Sequence, residues 1–214
     1  MSVAAVVVAA GRGQRYGGAK QFAVMNHDTV TTHSVRAARS VAERVVLVVP
    51  ANYQGNGEGA DVVVVGGATR SDSVRAGLEE CGDADVIVVH DAARPLATPS
   101  LFASVVGAVL AGADGAVPGL PISDTVKRIR QLEGNVTVVD GTEAREQLVT
   151  VQTPQAFAHD VLLRAHASGD DATDDATLVE AVGGQVVVVP GELDNVKITV
   201  AGDLAWASSI ALRR

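Results

Sequence analysis

The sequence predicts an α/β fold with a mostly parallel sheet flanked by helices, and three observations predict it. Short runs rich in β-branched residues, at 3–8, 45–49, 62–65 and 86–89, alternate with stretches of helical spacing. Valine and alanine dominate a composition that is 47% hydrophobic but only 3% aromatic, which suits a valine-rich buried sheet under alanine-rich helices. The first run also ends in a glycine-rich loop, of the kind that brings bare backbone N–H groups up to an anion. At 214 residues the chain can bury a substantial core and is read as one domain, 1–214.

The loop reads Ala9-Ala10-Gly11-Arg12-Gly13-Gln14-Arg15-Tyr16-Gly17-Gly18-Ala19-Lys20-Gln21, and its cations set it apart: Arg12, Arg15 and Lys20 fall within nine residues. Two well-understood phosphate loops do not fit it. The Walker pattern needs Ser or Thr after its lysine, where Gln21 stands, and the dinucleotide fingerprint needs a third glycine, where Tyr16 stands. Arg15 and Lys20 are placed to meet a highly charged ligand such as a triphosphate; the competing reading is a solvated surface loop.

Further along, 31–40 reads as a helix, 45–49 as a strand closed by Pro50, and 51–60 as a flexible connector with three glycines and two asparagines. A third strand, 62–65, ends at Gly66-Gly67, and 71–81 is helical with Ser71 or Asp72 as its N-cap. The strand 86–89 delivers His90-Asp91-Ala92-Ala93-Arg94-Pro95, and Thr98-Pro99 opens a helix to about Ala113. In parallel sheets ligands bind beyond the carboxyl ends of the strands, so the glycine loop and the 90–95 segment belong on one rim. The rhythm breaks at 125–130 and 135–139, two strands about Glu133-Gly134. Such a hairpin has too little core to stand alone, and a second subunit is its expected support. Helices at 160–168 and 174–182, a strand at 185–189 and a helix at 201–214 complete the chain, with Arg213 and Arg214 suited to the final helix's negative end.

Composition narrows the function. A formal net charge of −8 argues against coating nucleic acid, so cations that meet a polyanion must be gathered in one place. Cys81 is alone, which rules out an intrachain disulfide or thiolate metal cluster, and reads as a small buried residue. The apolar N-terminus lacks the positive flank of a signal peptide, and no stretch reaches the roughly 20 apolar residues of a membrane span. No membrane is expected, and the expected location is cytoplasmic. Asp170, Asp171, Asp174 and Asp175 fit no calcium loop and read as capping and first-turn residues.

Taken together, Ala-Ala-Gly-x-Gly-x-Arg at 9–15, Lys20-Gln21-Phe22, His33-Ser34-Val35 and Gly66-Gly67 with Arg70-x-Asp72-Ser73-Val74 form an ordered pattern. It continues through His90-Asp91-Ala92-Ala93-Arg94-Pro95, Asp124-Thr125-Val126-Lys127, Gln152-Thr153-Pro154-Gln155-Ala156-Phe157, Thr173-Asp174-Asp175-Ala176 and Asp194-Asn195-Val196-Lys197-Ile198-Thr199. Nearly end to end, this resembles the 2-C-methyl-D-erythritol 4-phosphate cytidylyltransferase family. Ala19 and Ala68 depart from it, standing where the family commonly has a proline and a polar residue.

The resemblance implies a Rossmann-like nucleotidyltransferase fold with a protruding β-hairpin arm, at about 122–152, through which two chains form a homodimer. It implies transfer of CMP from CTP to 2-C-methyl-D-erythritol 4-phosphate with Mg²⁺. Arg15, Lys20, Arg145 and Lys197 are then catalytic, the first two on the triphosphate and the others on the sugar phosphate. Ala9, Ala10, Gly11, Gly13, Gly67 and Ser73 meet the nucleotide. Asp91, Arg94, Thr125 and Thr153 meet the sugar phosphate, with Asp91 also a metal ligand. The expected chemistry needs no general base, so His90 is read as structural. Alternatives are a cytidylyltransferase for another polyol phosphate, such as ribitol 5-phosphate, or an inactive nucleotide-binding module.

Overall fold

The structure, a computed structural model, describes residues 1–11, 13, 16–132, 134 and 136–213. In chain order its strands are β1 (Val3–Val8), β2 (Val24–Met25), β3 (Asp28–Thr29), β4 (Arg44–Val49), β5 (Val62–Val65), β6 (Val86–Asp91), β7 (Gly115–Pro121), β8 (Lys127–Gln131), β9 (Thr137–Thr142), β10 (Val149–Val151), β11 (Gln155–Ala158) and β12 (Val186–Pro190). The helices are α1 (Val30–Ala38), α2 (Arg70–Leu78), α3 (Pro99–Leu110), α4 (His159–His166), α5 (Asp175–Ala181) and α6 (Ala201–Ala211).

Over the described residues the main sheet has the order β10-β7-β11-β6-β1-β4-β5, with β12 also paired to β7. Strands β1, β4, β5 and β6 run parallel, and β12 runs parallel to β7. Only β10 and β11 run against them, so the sheet is mostly parallel. Side chains alternate across a strand, and β1 shows why its run had to be apolar throughout. Val3, Ala5 and Val7 enter the core under α1 and α3, whereas Ala4 and Val6 enter the core under α2, α4 and α5. A third, smaller cluster of Met25, Val30, Leu96, Ile198, Ala207 and Ile210 ties α6 and the chain before it to the β2–β3 hairpin.

Several details differ from the expectation. The N-cap of α2 is Thr69, two residues earlier than Ser71: its hydroxyl accepts from Asp72 N–H at 3.1 Å, and the Asp72 carboxylate accepts from Thr69 N–H at 3.1 Å. The 51–60 segment is a hydrogen-bonded loop. Tyr53 Oη accepts from Gly57 N–H at 2.9 Å, and the Tyr53 ring packs on Phe22 at 5.0 Å. Strands β2, β3, β7, β10 and β11 are additions to the predicted set. The hairpin is present as β8 and β9 in a separate two-stranded sheet, with Ile129 and Val139 58% and 63% exposed; Glu133 and Asn135 of its turn lie outside the described residues. Asp174 caps α5, as read, but Asp175 is fully buried against Arg70 and His166. Cys81 is buried, and burial pushes its thiol up to about 12. No helix among the described residues is long and apolar enough to cross a membrane.

The end of β6 is locked to the β10–β11 break by a directional chain. Asp91 N–H donates to Thr153 Oγ1 at 3.0 Å, Thr153 Oγ1 lies 3.1 Å from His90 Nδ1, and His90 Nε2 lies 3.2 Å from the Arg94 carbonyl. A carbonyl only accepts, so Nε2 carries the proton, and a neutral His90 then accepts at Nδ1 from Thr153. Burial pushes the fully enclosed imidazole down to about 4. Its folded value lies below the unfolded one of 6.5, so between those values the unfolded chain binds a proton that the fold excludes. Stability should therefore fall as pH drops through this window, by at most about 1.4 kcal/mol per unit. Urea unfolding at pH 7.5 and 5.0 should differ by roughly 2 kcal/mol, and His90→Gln should flatten the difference. An equal slope in wild type and variant would contradict a neutral, buried His90.

Candidate active site

The carboxyl ends of β1, β5 and β6 share one rim, and a cavity of about 580 Å³ opens along it. Ala9, Ala10, Gly11 and Gly13 form one wall, with Lys20 beside them. Buried Gln21 staples this wall: its side-chain amide donates to the carbonyls of Ala9 at 2.7 Å and Gly11 at 2.9 Å. Its own backbone carbonyl accepts from Thr31 Oγ1 at 2.7 Å, so α1 fixes the staple. Gly13 has φ +60°, and a Cβ there would lie 1.8 Å from the Gly18 carbonyl oxygen, which restricts the turn to glycine.

The facing wall comes from the β5–α2 turn, where Gly67, Ala68, Thr69, Arg70 and Ser73 line the cavity. A Cβ on Gly67 would lie 2.2 Å from Asp72 Cβ, so the capping box of α2 and this glycine must be present together. Ser73 Oγ donates back to the Thr69 carbonyl at 2.9 Å.

Asp91 ends β6 at the junction with a second cavity of about 220 Å³, and Arg70, Asp91 and Lys197 line both spaces. Lys197 Nζ donates to Asp91 Oδ2 at 2.6 Å, and Arg70 Nε lies 3.5 Å from Oδ1. Burial works to raise the Asp91 carboxyl, but Lys197, Arg70 and Arg94 overcome it and hold the group well below the usual carboxylate range. Asp91 is therefore an anion at every working pH, and its observed ion partners are Lys197 and Arg70. Arg94 instead donates from Nη1 to the Asn195 carbonyl at 2.7 Å.

Lys197 has a well-determined approach. Asn195 Nδ2 donates to the Thr153 carbonyl at 2.9 Å, Gln152 Nε2 donates to the Glu192 carbonyl at 2.8 Å, and Ile198 N–H donates to the Ala93 carbonyl at 2.8 Å. Downstream, the Asp203 carboxylate accepts from Thr199 N–H and Oγ1, both at 2.6 Å, and anchors the start of α6. That carboxyl is held low first by the Thr199 hydroxyl, then by backbone N–H groups, with Lys20 adding its charge.

The structure thus gathers Ala9, Ala10, Gly11, Gly13, Lys20, Gly67, Ser73, Asp91 and Lys197 around the larger cavity. Arg94 and Thr153 join Asp91 and Lys197 around the smaller one. Arg15 lies outside the described residues. Thr125 and Arg145 line neither cavity of their own chain: both are exposed on the arm, where Arg145 donates to the Ser123 carbonyl and pairs with Glu146 at 3.6 Å. Gln21, Arg70, Gln152 and Asn195 shape the site without having been singled out as site residues. For Arg70 a signal existed, a cation shortly after the Gly66-Gly67 turn.

Comparison with known proteins identifies the family. The family model described as IspD, 2-C-methyl-D-erythritol 4-phosphate cytidylyltransferase, matches residues 3–213. A protein of that description from Saccharopolyspora erythraea is 44% identical over 226 residues, covering 98% of this chain and 99% of its own. One from Rhodococcus jostii is 42% identical, covering 97% and 94%. The crystal structure of the Thermus thermophilus cytidylyltransferase superposes with a TM-score of 0.83 at 34% identity, over 99% of this chain and 100% of that one. With the family model matching residues 3–213 and relatives 44% and 42% identical over nearly the whole chain, the chain belongs to the 2-C-methyl-D-erythritol 4-phosphate cytidylyltransferase family.

Proposed function

We propose that this chain transfers CMP from CTP to 2-C-methyl-D-erythritol 4-phosphate, releasing pyrophosphate, in the non-mevalonate synthesis of isoprenoid precursors. A phosphate oxygen of the sugar attacks the α-phosphorus of CTP; the new P–O bond forms as the bond to pyrophosphate breaks. The nucleophile is already an anion, so the protein's task is to bring anions together and steady the charge on the leaving group. The observation that carries this reading is the pair of adjoining cavities with Asp91, Lys197 and Arg70 common to both.

In this reading the larger cavity takes the nucleotide. Its small lining residues, Ala9, Ala10, Gly11, Gly13, Gly67 and Ser73, let backbone edges read base, ribose and phosphates, while Lys20 and Arg15 counter the triphosphate. The smaller cavity takes the sugar phosphate, with Arg94 and Lys197 as cations and Thr153 and Asp91 as polar contacts. Lys197 exchanges its contact with Asp91 for one with the incoming phosphate. Mg²⁺ fits the donor set as a single-carboxylate ion: a hard cation takes one carboxylate plus substrate phosphates, and Asp91 supplies an ionised carboxylate at the junction. Bound there it would neutralise triphosphate charge. The lone thiol of Cys81, buried and unpaired with another cysteine, suits a reducing cytoplasm.

The arm is read as a dimerisation element that carries Arg145 and Thr125 into the partner's site. What supports this is a two-stranded sheet separate from the main one, with exposed Ile129, Val136 and Val139.

Incubation with 2-C-methyl-D-erythritol 4-phosphate, Mg²⁺ and each of the four NTPs tests the reaction. Pyrophosphate release should be confined to CTP; release with another NTP at equal rate, or none with CTP, overturns the reading. For the arm, Lys20→Ala and Arg145→Ala should each lower turnover by about 10²–10³, the usual cost of losing one preorganised charge contact. Mixed under conditions of subunit exchange, they should restore about a quarter of all sites, because one site of each hybrid carries both lesions and the other neither. Activity that stays at the single-variant level after verified exchange means Arg145 does not act across the dimer.

A further inference from the structure

Behind Asp91, Arg70, Asp175 and His166 continue a chain of basic and acidic side chains to which the proposed chemistry gives no task. Arg70, the first residue of α2, has a side chain only 22% exposed. Its Nη1 lies 2.8 Å from Asp175 Oδ2, and its Nε lies 3.5 Å from Asp91 Oδ1. Asp175 is fully buried, and its other oxygen meets His166 Nε2 at 3.0 Å. With Lys197 on Asp91 Oδ2 at 2.6 Å, the series Lys197–Asp91–Arg70–Asp175–His166 crosses from the segment before α6, through β6 and α2, to α5 and α4.

Stability alone does not account for this arrangement. A buried ion pair repays its desolvation poorly, and apolar side chains would join α2, α4 and α5 at least as well. Nor is Arg70 held by a bidentate fork: a single close ion pair, Nη1 to Asp175 Oδ2 at 2.8 Å, anchors it. What the series does is divide the Asp91 carboxylate, one oxygen facing Arg70 and the other Lys197. That fixes the carboxylate plane at the junction of the two cavities. Without Arg70, Asp91 is free to turn both oxygens on Lys197 and hold that lysine back from substrate.

We propose that Arg70 is the positioning residue of this site: anchored by Asp175, it orients Asp91 and thereby keeps Lys197 available to the sugar phosphate. The inference rests on the roles given above to Asp91 and Lys197. It predicts a specific kinetic signature in Arg70→Met. Turnover should fall about 10–100-fold, the KM for the sugar phosphate should rise about tenfold, and half-saturating Mg²⁺ should increase, as for residues that orient a metal-binding group. Arg70→Lys, which keeps the charge, should recover part of the loss. Asp175→Asn should shift the same parameters in the same direction, and should add almost nothing in the Arg70→Met background, because it acts through Arg70.

A purely structural Arg70 would give folded variants with a lower Tm but unaltered turnover, Mg²⁺ dependence and sugar-phosphate KM, or additive losses in the double variant; either result overturns the proposal. Should Arg70→Met not fold, Arg70→Lys is measured in its place and must show smaller shifts in the same direction in sugar-phosphate KM and Mg²⁺ dependence; none at all overturns the proposal. Crystal structures of wild type and variant give a readout independent of activity. Asp91 and Lys197 unmoved in the variant refute the positioning role, whereas a wild type inactive with CTP refutes only the proposed reaction.

Discussion

The constraint on which everything else depends is that β1 is buried on both faces. Val3 to Val8 can shed water on two sides only if helices cover both faces of the sheet, and that demands crossovers between parallel strands. Parallel strands end on one rim. The glycine loop after β1, the Gly66-Gly67 turn after β5 and Asp91 at the end of β6 therefore meet, although they are far apart in the chain. Site assembly here is a consequence of core formation.

The second determinant is charge. An acidic chain, at −8, concentrates cations at this rim: Lys20, Arg70, Arg94 and Lys197 all line the two cavities. Asp91 sits among them as an anion whose ionisation its neighbours guarantee. For a reaction between two polyanions this is the relevant apparatus, since the barrier lies in approach and leaving-group charge and not in making a nucleophile. The rigid segments that aim these groups, through Gln21, Gln152 and Asn195, hold the geometry before any ligand arrives.

Much of this was legible in the sequence because apolar runs, glycine turns and an ordered set of motifs are local signals. Strand β7 was not, since Gly115, Pro118, Gly119 and Pro121 disguise a strand that tertiary packing nonetheless recruits. The α2 cap was misplaced to Ser71 or Asp72 because Thr69 is a comparable cap, and only the reciprocal bonds with Asp72 decide between them. Asp175 read as a first-turn carboxylate, whereas its partners Arg70 and His166 come from other helices and so from contacts no local pattern encodes. Arg145 and Thr125 matched the family pattern, yet they lie on an arm away from their own chain's cavities.

The central claim is that the two substrates meet directly at the junction of the two cavities, with no protein nucleophile between them. The stereochemistry at the transferred phosphorus tests this most directly. CTP carrying sulfur in place of one α-phosphoryl oxygen, in a single configuration, is turned over with the sugar phosphate, and the configuration of the product is determined. One in-line displacement predicts inversion. Retention would require two displacements through a covalent nucleotidyl-enzyme and would contradict the account.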